Sequence, residues 1–130
     1  MNEAEMIART KRFALRIIKL VGALPKTVQG RAIASQLMRS GTSVAANYRA
    51  ACRARSKAEF IAKLGTVEEE ADETAFWLEL TIEGELLAAA QVQPLLNEAI
   101  EIVAITAASK ETASATLARS QIANRKSQIS

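Results

Sequence analysis

The stretch MRSGTSVAANYR at residues 38–49 constrains the fold more than any other part of the chain. It is too rich in small residues for a surface helix and too polar for an ordinary core. Read at helical spacing, Leu37, Ser40, Val44 and Ala51 share one face with Gly41 and Tyr48 beside them, at steps of three and four. Small residues on such a seam let a second helix come close. Arg39, Ser43 and Asn47, four apart, form a polar row that a neighbouring helix can cover, and covered polar groups need partners. The acidic stretch further on, around Glu70 and Glu73, supplies candidates.

The whole chain favours helix. Ala, Glu, Lys, Arg and Leu abound, there are only two prolines and five glycines in 130 residues, and no stretch alternates as a half-buried strand does. Aromatic residues make up 4%, so aliphatic side chains must fill the core. The length suits one domain. No apolar run approaches the ~20 residues of a membrane span, and the N-terminal residues lack the apolar centre of a signal peptide. A cytoplasmic protein is expected. Cys52 is the single cysteine, and with no histidine to activate it, it reads as a packing residue.

Four helices are predicted. The first runs from about Asn2, an N-cap with Glu5 three residues on, to Val21, with Gly22 and Pro25 ending it. Met6, Phe13, Ile17, Leu20 and Leu24 form its seam, while Ile7, Leu15 and Ile18 point elsewhere and suggest a second neighbour. The second begins after Thr27 and reaches about Ala54. Ser56 and Glu59 form a capping box for the third, which runs to about Glu83 and ends at Gly84 or a few turns later. Pro94 suits the first turn of the fourth, whose seam reads Leu96, Ile100, Val103 and Ala107. From Ser114 the pattern fades, so residues 114–130 are expected to be a frayed or disordered tail to a bundle at 1–113. Short connections make this an all-α, up-down-up-down antiparallel four-helix bundle.

Charge is segregated along the chain. Residues 1–57 hold twelve Lys and Arg against two Glu, a balance of +10, and residues 58–130 hold five against twelve acids, a balance of −7. Either a basic face serves an anionic partner or complementary faces meet. Arg9, Arg12, Arg16 and Lys19, at steps of three and four, and Arg49, Arg53, Arg55 and Lys57 around the turn between helices two and three, are the candidate nucleic-acid contacts. No aromatic residues are interleaved with them, so base stacking is not suggested.

If that turn centres near Arg55, residues whose numbers sum to about 110 lie level in an antiparallel hairpin. Arg39 is then level with Ala71, flanked by Glu70, Asp72 and Glu73, and Asn47 with Lys63. A buried or half-buried pair of Arg39 with a carboxylate follows unless those acids form a solvated face. A di-iron carboxylate site would need Glu-x-x-His pairs, and the chain has no histidine. No catalytic arrangement, phosphate loop, metal site or cofactor is indicated.

Arg39-Ser40, Ser43, Ala46-Asn47, the run RSKAEF at 55–60, EADET at 70–74 and Trp77-Leu78 together resemble the bacterial four-helix-bundle family named after the 23S ribosomal RNA intervening sequences. The similarity covers roughly residues 5 to 110. It implies a cytoplasmic bundle assembled as a ring-like homopentamer. The architecture is similar to that of the accessory protein of diversity-generating retroelements, which binds nucleic acid and a reverse transcriptase. Where many members carry an acidic-Gly pair after the Asn47 motif, this chain has Ala50-Ala51-Cys52. Two functions stay open: a non-enzymatic homo-oligomer that binds RNA or DNA through a basic surface, or a protein-interaction scaffold whose basic helices face acidic ones across subunits.

Overall fold

The structure, a computed structural model, describes residues 1–129. Four helices account for nearly all of them: α1 (Glu3–Ala23), α2 (Val28–Cys52), α3 (Lys57–Glu83) and α4 (Ala89–Ile129). Each connection is only a few residues long, so consecutive helices pack antiparallel, and each helix touches its two sequence neighbours, with α4 closing against α1. The backbones of the diagonal pairs stay apart, and the α1–α4 seam is the thinnest of the four. Among the described residues there is no strand, and no helix is long and apolar enough to cross a membrane.

Side-chain oxygens set the helix starts. Asn2 Oδ1 accepts from the Glu5 backbone N–H at 2.8 Å, Thr27 Oγ1 from Gly30 at 3.1 Å and Ser56 Oγ from Glu59 at 3.1 Å, each satisfying one orphan donor of a first turn. The Glu59 carboxylate reaches one residue past the cap, to the Arg55 N–H at 2.9 Å. Gly30 is required by crowding at the start of α2, because a Cβ there would lie 1.9 Å from the Pro25 carbonyl oxygen.

The core is the α2 seam and what packs on it. Leu37, Ser40, Val44, Tyr48 and Ala51 are buried, as are Met6, Phe13, Ile17 and Leu20 of α1, Leu24 just after it, and Leu64, Val67, Ala71, Thr74 and Leu78 of α3. The Thr74 hydroxyl donates to Ser40 Oγ at 2.9 Å, and Ser40 passes its own proton to the Gln36 carbonyl at 2.8 Å, so both buried hydroxyls are paired.

Three expectations are corrected. The helix four seam is rotated: Val92, Leu95, Leu96, Ala99, Ile102 and Thr106 are buried, while Ile100 is 52% exposed. Two stripes with steps of three and four overlap on this helix, and the less hydropathic one, through Ala99 and Thr106, faces the bundle. Pro94 lies a turn deeper than the first turn, inside α4. Finally, the segment from Ser114, expected to be frayed or disordered, continues α4 without a break through Ile129. No Gly or Pro interrupts it, and Ala, Leu, Gln, Arg and Lys dominate, so helix propensity persists after the core-facing stripe has ended.

Candidate nucleic-acid interface

The helix packing distributes the eight candidate cations over four places. Arg9, Arg12 and Arg16 line a cleft between α1 and α4, with Lys19 continuing along it beside Leu20 and Gln91. Arg49 and Arg53 line a second recess of about 390 Å³, between α1 and α2, together with Lys11, Ile7, Ala45, Ala46 and Cys52. Lys57 lies on the opposite side, against Ser109 and Thr112 of α4. Arg55 is exposed in the connection between α2 and α3. The two basic runs of the sequence therefore do not merge into one stripe.

Lys11 belongs to this set and was not among the expected residues. Its spacing puts it off the Arg9–Arg12–Arg16 row, and only the antiparallel pairing of α1 with α2 brings it to Arg49 and Arg53. With Ile17 against Gly41, residues of α1 and α2 whose numbers sum to about 58 lie level, and that rule would have found it.

Arg9 leaves the set. Its Nε donates to Glu98 Oε2 at 2.7 Å and its Nη2 to Glu98 Oε1 at 2.7 Å, with Glu101 Oε2 also 2.7 Å from Nη2. These bonds, with Arg9 and Glu98 only 19% and 16% exposed, hold the guanidinium inside the subunit. The hydrogen bonds to Glu98 raise the Arg9 pKa further above its ordinary value. A fork already engaged by two carboxylates is a poor phosphate ligand. Among the described residues, no carboxylate lies within salt-bridge distance of the side chains of Arg12, Arg16, Lys19, Arg49, Arg53, Arg55 or Lys57.

The polar row of α2 is divided as well. Arg39 Nη1 donates to Glu70 Oε2 at 3.1 Å and Nη2 to Glu73 Oε1, bridging two carboxylates one turn apart on α3. The Arg39 side chain is 50% exposed, so solvent screens this bridge and it is no buried ion pair. The bond from Arg39 holds the Glu73 carboxyl below its ordinary value. Asn47, expected level with Lys63, turns instead along its own helix: its Nδ2 donates to the Ser43 carbonyl at 2.9 Å and to Ser43 Oγ at 2.8 Å. Asp72 is exposed and, among the described residues, joins no ion pair.

Cys52 is half-buried, and burial, followed by its hydrogen bond with Glu3, pushes the thiol up to about 11. It stays protonated at neutral pH, which suits packing and not nucleophilic attack. Among the described residues no group of three or more His, Cys, Asp or Glu could hold a metal ion.

Packing and side-chain placement thus define an up-and-down four-helix bundle with a divided cationic surface and a screened polar seam between its second and third helices. No curated protein matches the chain. The chain belongs to the 23S rRNA-intervening sequence protein family, whose match spans residues 2–108. Among solved structures it is similar to a protein of unknown function from the S23 ribosomal protein family of Bacteroides thetaiotaomicron, at 34% identity and a TM-score of 0.77. That likeness covers 85% of this chain and 99% of the other.

Proposed function

We propose that this chain is a non-enzymatic cytoplasmic homo-oligomer, a pentamer on the family pattern, that binds the phosphate backbone of RNA or DNA. The observation that carries the reading is the contrast among its cations. Arg9, Arg39 and Lys110 are each held by carboxylates of their own subunit. Among the described residues, Arg12, Arg16 and Lys19 on α1, Arg49 on α2 and Arg53 just after it have none, and all five stand exposed. Unneutralised guanidinium and ammonium groups spaced along one helix attract a polyanion without regard to base sequence.

The test is a mobility shift with generic RNA and duplex DNA at two salt concentrations, beside sedimentation. Changing Arg12, Arg16 and Lys19 to Gln should weaken binding equally across sequences and lower the salt slope on duplex by about 2–3 units, with the oligomer intact. Wild-type protein that binds neither at low salt overturns the reading.

A second reading has its own support. The solvent face of α1 carries Ile7, Leu15 and Ile18 among its cations, at 37%, 58% and 44% exposure. The solvent face of α3, diagonally opposite, carries Phe76 at 50% exposure among Glu69, Asp72 and Glu83. A basic–apolar face on one side and an acidic–apolar face on the other suit head-to-tail closure into a ring, with the cations serving the neighbour. In that case the triple Gln variant loosens the assembly.

A further inference from the structure

We propose that α4 is a second assembly surface, on which two copies of this chain pair their α4 helices antiparallel about a two-fold axis near Ala115. This contact uses neither the α1 nor the α3 face, and it does not rest on nucleic-acid binding. It lies largely beyond the family match, which ends at residue 108.

The bundle stops before α4 does. Lys57 and Phe60, at the start of α3, share a recess with Thr112, Ala113 and Thr116, so the other helices have no turn left beyond that level. Ala113 is the last buried residue, Thr116 and Leu117 are half-buried, and every residue from 118 to 128 is exposed. About 18 Å of helix overhangs the bundle. A helix of a dozen residues is marginal in water unless another surface covers it.

The face that would be covered is already visible. Ile100, Ala104, Ala108, Ala115, Ala118 and Ile122 follow one another at steps of three, four or seven on the outward side of α4, and all are exposed, the two isoleucines at 52% and 50%. The core-facing side of the overhang carries Ser120, Asn124 and Ser127 instead. Beyond the end of the bundle the outward side of the helix alone stays apolar.

Charge selects the occupant and its direction. Between Ala89 and Glu111, α4 carries Glu98 and Glu101, both held by Arg9 of the same subunit, Lys110, which is paired with Glu68 at 2.7 Å, and Glu111, which is exposed. From Thr112 on it carries Arg119, Arg125 and Lys126 and no acid. Parallel copies would set each Arg119 beside its counterpart; antiparallel copies set it beside an acid of the partner copy. With Ala115 on the axis, residues summing to 230 are level. Arg119 then meets Glu111, Ile122 meets Ala108, and each overhang lies along residues 101–113 of the other copy, where alanines permit close approach. The two bundles sit at opposite ends of the joined helices, their ends meeting near the axis.

Cysteine crosslinking in the full chain tests this, with Cys52→Ser removing the native thiol. Ala115→Cys should form a disulfide-linked dimer under mild oxidation at micromolar protein. Ile122→Cys should link to Ala108→Cys in a mixture of the two variants and not to itself. Adding Ile122→Glu to Ala115→Cys should abolish the dimer band while circular dichroism keeps the helix content of the bundle. Absence of the Ala115→Cys dimer, self-linking of Ile122→Cys, or a dimer band insensitive to Ile122→Glu would each overturn the proposal. So would a change in RNA or DNA binding by Ile122→Glu with crosslinking unaltered, since the face would then serve that ligand.

Discussion

Gly41 lies so close to Ile17 that a Cβ on the glycine would stand 2.8 Å from both Cγ atoms of the isoleucine. The two helices approach closely here, and Ile17 is fully buried, with a β-branched side chain that has little room to turn. Gly41→Ala would gain ~1 kcal/mol of helix propensity. The forced separation of the helices costs ~1–3 kcal/mol and decides the sign. A lower urea midpoint is expected for Gly41→Ala, and partial recovery when Ile17→Val is added. A variant as stable as wild type would mean that α1 shifts freely on α2.

The Arg9–Glu98 bridge should behave as a coupled pair. Arg9→Gln leaves a carboxylate that is only 16% exposed without its bidentate partner, at a cost of about 1.5–3 kcal/mol. Glu98→Gln should cost a similar amount, and the double variant less than the sum of the two, as thermal melts of the cycle would read. Arg9→Gln should also leave any salt slope of nucleic-acid binding unchanged, in contrast to the Arg12, Arg16 and Lys19 variant.

Glu85 is expected to prefer glycine. It takes φ 57°, in the left-handed region, while Gly84 before it has an ordinary φ of −80°. The Leu86 N–H donates to the Thr81 carbonyl at 3.0 Å and the Glu85 N–H to the Ile82 carbonyl at 3.0 Å, the paired bonds of a Schellman end. Glu85→Gly should raise stability by ~1 kcal/mol, because the side chain pays a steric penalty that glycine does not. An unchanged or lower melting temperature would contradict that geometry.

Acid should separate the Arg39 bridge from the rest of the fold. Glu73 titrates below its ordinary value in the folded state, so its contribution is present above the unfolded pKa and lost as pH falls through the folded one. Arg39→Met should lower the urea midpoint slightly at pH 7. Wild type and variant should converge at pH values below the usual carboxylate range, and the pH 7 difference should shrink in high salt. A difference that persists in acid would assign the role of Arg39 to packing.

The parts of the fold set by local chemistry could be read in advance. The caps Asn2, Thr27 and Ser56 each fix a helix start within a few residues, and the α2 seam has only one buried face that its small residues permit. Places where two solutions fit the same spacing could not be separated. Ile100 and Ile102 both sit on plausible stripes of α4, and only docking on α3 and α1 chooses between them. Near Gly84 the sequence marks a helix end, but the left-handed turn falls one residue later, because the bonds back to Thr81 and Ile82 require it there. The sequence also cannot show which cations have partners. Arg9 and Arg12 look alike until α4 brings Glu98 to one of them, and Lys11 looks isolated until α2 brings Arg49 and Arg53 to it.

Trp77, the chain's single indole, donates from Nε1 to Glu73 Oε1 at 3.5 Å, the same oxygen that accepts from Arg39, and meets Phe76 edge-on with ring centres 5.0 Å apart. Its emission therefore comes from one known seam. Loosening between α2 and α3 should change its colour and intensity before the far-ultraviolet signal of the four helices moves. Events confined to α4 should leave it dark to the observer, giving the protein a built-in optical probe that distinguishes the two ends of its own unfolding.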